Sequence, residues 1–85
     1  MTKQELINWA KSKGYHLDKY GHLQKIASSG QKYRIKIQAN SARYEKQITF
    51  SATEYSRAKN EWLRLNSGYL KDMSITSEGK LSFRK

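Results

Sequence analysis

The chain has 85 residues, no cysteine and no proline, and its seventeen lysines and arginines against seven aspartates and glutamates leave a net charge of +10. Those numbers fit one small domain with a thin core. They exclude disulfide staples and zinc–thiolate sites, and they point to a partner made of phosphates.

Two histidines, His16 and His22, do not make a metal cage, and the residues suggest no cofactor. Met1 to Glu5 has no apolar run behind it, which argues against a secretory signal. No stretch approaches the ~20 apolar residues of a membrane helix. The expected location is the cytoplasm, without membrane contact. The charge is spread along the chain: eight basic and two acidic residues fall within 1–42, nine and five within 43–85. A basic arm on a neutral domain would be distributed differently.

In chain order, Thr2 and Glu5 have the spacing of a capping box, which satisfies free backbone donors at a helix start. Leu6, Ile7, Trp9 and Ala10 supply an apolar face, and Gly14 with Tyr15 supplies a stop, so a helix is expected over 3–13. Residues 15–21 read as a connection. Three alternating segments follow: His22 to Ala27, Lys32 to Gln38, and Arg43 to Phe50. In the second, Tyr33, Ile35 and Ile37 share one face, and Lys32, Arg34, Lys36 and Gln38 share the other. In the third, Tyr44, Ile48 and Phe50 oppose Arg43, Glu45, Gln47 and Thr49. Ser28 to Gln31 and Ala39 to Ala42 are the turns. A three-stranded antiparallel meander is expected, greasy on one face and basic on the other.

Ser51 and Glu54 repeat the capping-box spacing. Tyr55, Ala58, Trp62 and Leu65 then form a stripe at helical spacing, so a second helix is expected to about Asn66, with Gly68 as its stop. Met73 and Ile75, then Leu81 and Phe83, alternate around Thr76 to Gly79, the pattern of a hairpin. The expected fold is α+β: a two-layer α-β-β-β-α domain over 1–68 with a three-stranded antiparallel sheet, and a C-terminal β-hairpin over 69–85 packed on it or extending it.

The helix Glu5 to Gly14, the strand Lys32 to Ile37 and the basic run Arg57-Ala58-Lys59 together resemble the double-stranded RNA-binding domain. That resemblance implies three contact zones on duplex RNA. Carried onto this chain they are the first helix (Gln4, Lys11), the first strand-to-strand turn (Ser29 to Lys32, with Gln31) and the start of the second helix (Arg57, Lys59); Lys3 at the start of the first helix is a further candidate contact. Residues 22–65 also resemble the arm-type DNA-binding domains of tyrosine recombinases, which lay an exposed sheet face in the major groove. That resemblance implies contacts from Lys32, Arg34, Lys36, Gln38, Arg43 and Gln47. Gly21-His22 at a strand start resembles the HicA-type mRNA interferases and implies an endoribonuclease using His22 as its base.

The residues themselves favour a non-enzymatic nucleic-acid-binding domain. RNA is slightly preferred over DNA, because the first resemblance also accounts for the first helix. The third class is a protein-interaction module, of the mobile-element or phage accessory kind, that docks an acidic protein partner. Trp9 and Trp62 are expected in the core, as are Tyr33 and Tyr44 by strand parity; Tyr20, Tyr33 and Tyr44 are the rings that could stack on unpaired bases.

Overall fold

The computed structural model describes the backbone of residues 1–51 and 58–83, and the side chains of 1–48 and 61–83. The chain begins with α1 (Lys3–Ser12). The Thr2 hydroxyl accepts from the Glu5 N–H, and the Glu5 carboxylate accepts from the Thr2 N–H at 2.7 Å, so the capping box is complete. At the other end Gly14 takes φ 93°. This lets the Tyr15 N–H reach the Ala10 carbonyl and the Gly14 N–H reach that of Lys11.

Five strands follow in one antiparallel meander, ordered as they occur: β1 (His16–Leu17), β2 (Leu23–Ile26), β3 (Lys32–Ile37), β4 (Ser41–Ser51) and β5 (Ala58–Tyr69). A 3-10 turn (Leu70–Asp72) leads to a separate two-stranded sheet, β6 (Ser74–Ile75) and β7 (Leu81–Ser82).

The expected α-β-β-β-α order is therefore wrong. The segment assigned to a second helix is a twelve-residue strand, and the sheet has five strands instead of three. Ser51 closes β4; Glu54, Tyr55 and Arg57 lie outside the described residues. The physical reason is the length of β4. Its eleven residues expose a row of backbone donors and acceptors beyond β3, and β5 satisfies them from Ser41↔Tyr69 to Ser51↔Ala58. Asn60, Asn66, Ser67 and Gly68 are also poor helix formers. The 15–21 connection likewise contributes an edge strand, since His16 and Leu17 pair with Gln24 and Leu23.

The core lies on one face of the sheet. Leu6, Leu23 and Ile35 are fully buried, with Ile7, Ala10, Tyr15, Ile37, Ala42, Leu70 and Met73 around them. The place assigned to a second helix is filled by the tail. The Trp9 indole N–H donates to the Gly79 carbonyl at 2.8 Å, and Leu81 and Phe83 pack against the cluster. The tail hairpin does not join the main sheet; it covers the sheet's apolar face beside α1.

Gly68 is required by this cover. It pairs with Ala42 on the apolar face, and a Cβ there would lie 3.3 Å from the Phe83 carbonyl and 3.7 Å from its side chain. We predict that Gly68→Ala pushes the tail off the sheet and costs about 1–2 kcal/mol. Urea denaturation monitored by far-UV circular dichroism checks this; an unchanged midpoint would mean that the tail contributes nothing to stability.

Candidate nucleic-acid interface

Strand parity sorts every side chain of the sheet to one of two faces. Tyr33, Ile35 and Ile37 face α1, so Lys32, Arg34 and Lys36 face away from it. Their partners carry the same sense across the sheet. Lys36 opposes Arg43, Arg34 opposes Glu45 and Gln24, and Lys32 opposes Ile26. On β5, Trp62 opposes Gln47, Arg64 opposes Glu45, and Ser67 opposes Arg43. The outer face thus gathers five cations, Lys32, Arg34, Lys36, Arg43 and Arg64, around one carboxylate. Neither α1 nor the tail covers it.

That carboxylate is already used. Glu45 is 4% exposed and accepts from Arg34 Nε at 2.9 Å and Nη2 at 2.6 Å. It is the only ion pair among the described residues. The Arg34 guanidinium also sits 4.2 Å from the centre of the Trp62 ring. A guanidinium held between a carboxylate and an indole loses little side-chain freedom when it meets a ligand. Lys32, Lys36, Arg43 and Arg64 have no carboxylate partner among the described residues, so their charge stays available.

A β-bulge shapes one end of this face. Tyr44 pairs with Asn66 and Glu45 with Arg64, which leaves Leu65 unpaired between them. A notch of about 260 Å³ opens there, lined by Gln38, Ser41, Arg43, Arg64 and Ser67. At the other end the turn around Gly30 is tied down: the Gln31 side-chain amide donates to the Gln47 carbonyl at 2.6 Å and to that of Lys32 at 3.1 Å.

The residues singled out in the sequence fall into separate groups. Lys32, Arg34, Lys36 and Arg43 come together on the outer face, and Gln47 joins them. Ser29 is exposed in the β2–β3 turn at its rim. Lys3, Gln4 and Lys11 are exposed on α1, on the opposite side of the sheet; Gln4 is bonded to Asn8 at 2.9 Å. Lys59 pairs with Phe50 in β5, and its side chain, like all of Arg57, lies outside the described residues. Tyr33 and Tyr44 stack on each other at 5.8 Å beside the core. Tyr20 is exposed, with Lys19 5.2 Å from its ring.

Trp62 is not the core residue the helical stripe suggested; it is half-buried on the outer face. Arg64 was missed with it. Both become visible once 58–69 is read as a strand, because Trp62 and Arg64 then share parity with the basic residues of β3 and β4.

His22 has a structural post. Its Nδ1 accepts from the Ile37 N–H at 3.3 Å, and its own N–H donates to Asp18 at 3.0 Å. Burial alone would raise the Asp18 carboxyl, but the backbone N–H groups of His22 and Tyr20, the Gln24 amide and the neighbouring imidazole hold it below the usual carboxylate range. Among the described residues, no group of three or more His, Asp or Glu could hold a metal ion. No helix there is long and apolar enough to cross a membrane. No protein-family model, curated protein or solved structure matches the chain.

If Glu45 fixes Arg34, removing either side chain leaves the other charge stranded in a partly desolvated site. We predict a coupling of about 1–2 kcal/mol between Arg34→Ala and Glu45→Ala in a double-mutant cycle. Denaturant unfolding of the two single variants and the double variant measures it. Strictly additive losses would show that the pair holds nothing in place.

Proposed function

We propose that the chain binds duplex nucleic acid through the outer face of its sheet, and that the duplex is DNA. The observation that carries this reading is the uncovered face itself: four cations without carboxylate partners surround a fifth that is stacked and braced. Such a face has no use in the core and matches a polyanion.

Geometry favours DNA over RNA. Strands lie about 4.8 Å apart, so the cation-bearing strands β3, β4 and β5 span roughly 10 Å between their outer axes, with β2 and β1 flanking them on the β3 side. The B-form major groove is about 12 Å wide and accepts a β-ribbon or narrow sheet. The major groove of A-form RNA is too narrow for side chains to read. The duplex-RNA reading also needs a helix start at Arg57 and Lys59. Lys59 instead lies in β5, and the α1 cations are on the other side of the sheet.

Within this reading the residues divide the labour. Lys32, Lys36, Arg43 and Arg64 neutralise phosphates. Gln47 faces the base edges, where glutamine makes bidentate contacts, and Arg34, tied to Glu45 beside Trp62, braces the face. Binding needs no cofactor, and the cytoplasm is the compartment that suits it.

Four phosphate contacts predict a fall in log affinity with log salt of slope about −4. Fluorescence anisotropy on a DNA duplex of about 16 base pairs measures the slope. The double variant Lys36→Gln/Arg43→Gln is expected to weaken binding about tenfold and to flatten the slope by about 2. Lys3→Gln/Lys11→Gln on α1 should leave both nearly unchanged, and an RNA duplex of equal length should bind more weakly. Loss of affinity from the helix variant, with the sheet variant unaffected, would overturn the reading.

A further inference from the structure

On the opposite side of the sheet, the tail hairpin and α1 do not close completely over the apolar face. A cleft of about 490 Å³ remains between them. This is within the size range of small-molecule sites. Its floor is Ile35, which is fully buried, with Leu81 and Phe83 beside it. Trp9, Tyr15 and Tyr44 form the walls. The Trp9 and Tyr15 rings meet at 6.2 Å with a tilt of 32°.

The charged groups around the cleft are mostly cationic. The indole N–H of Trp9 is spent on the Gly79 carbonyl, so this ring offers the cleft no free donor. Burial pushes the Tyr15 hydroxyl well above the usual phenol range, assisted by Tyr44 beside it, and burial raises Tyr44 as well. Both stay protonated and neutral. What remains at the mouth is Lys13, Lys25 and Lys80 against the single acid Glu78. The Lys25 ammonium sits 5.5 Å from the centre of the Tyr15 ring, poised over the aromatic wall.

We propose that this cleft is a binding site for a small planar aromatic anion: the ring lies among Trp9, Tyr15 and Tyr44, and the negative group meets Lys13, Lys25 and Lys80. An apolar floor with aromatic walls selects a flat ring, because stacked or edge-on rings gain more than area alone provides. Three ammonium groups against one carboxylate select its charge. The site is independent of the DNA-binding face, since the sheet separates them.

The test is titration of the ¹⁵N-labelled full chain, followed at the Trp9 indole and Gly79 amide resonances. Two anionic probes distinguish the source of the charge: adenosine monophosphate and indole-3-acetate. Two controls lack it: adenosine and tryptamine. At least one anion should shift both resonances saturably with a dissociation constant below about 1 mM, and its control should bind about tenfold more weakly. Lys25→Gln/Lys80→Gln should weaken that anion by a similar factor while the resonances of β4 and β5 stay unchanged. The proposal falls if neither anion shifts these resonances at several times that concentration, if the controls match the anions, or if the shifts gather at Lys36 and Arg43 instead. DNA binding that survives in any of those cases leaves the outer-face reading standing by itself.

Discussion

Leu6, Leu23 and Ile35 meet between α1 and the middle of the sheet, and they are the largest side chains that water does not reach. Because strand residues alternate, this one contact commits every other residue of β2, β3 and β4 to a side. Ile37, Ala42 and Tyr44 go in with it, while Arg34, Lys36 and Arg43 are turned out. A slip of one residue would bury the cations and expose the core, at a cost no domain of this size could bear. The hydrophobic contact and the electrostatic surface are therefore one constraint seen from two sides.

The chain covers the apolar side economically. One helix of ten residues and a short tail do the work of the two helices such a sheet would ordinarily recruit. The tail is held at few points, chiefly the Trp9–Gly79 hydrogen bond and the seat of Phe83 against Gly68. Light cover explains the cleft beside Tyr15.

Much of this was legible where local chemistry acts alone. Thr2, Glu5 and Gly14 mark the ends of α1 within a residue, since capping depends on neighbours in sequence. Lys32 to Ile37 reads as a strand because its alternation is unbroken, and three of the outer-face cations, Lys32, Arg34 and Lys36, follow from that parity, with Arg43 following from the next segment. The segment 58–69 was misread for two physical reasons. Its bulge at Leu65 resets the alternation, so Trp62 and Arg64 lie out of phase with Ser67. And its stripe of Ala58, Trp62 and Leu65 happens to match a helical period. What decides its state is the unpaired edge of β4, a long-range demand that no window of neighbouring residues contains. With the strand hidden, Arg64 and the stack of Arg34 on Trp62 were hidden too.

The unequal strand lengths have a mechanical consequence. β3 pairs with β4 only as far as Lys46, yet β4 and β5 continue together to Ser51 and Ala58. Past that point the described sheet narrows to a ribbon two strands wide. Such a ribbon bends and twists far more readily than the five-stranded part to which it is rooted. The described backbone thus extends a five-stranded plate by a narrower two-stranded ribbon, and Gln47 and Trp62 pair at the root where the two meet.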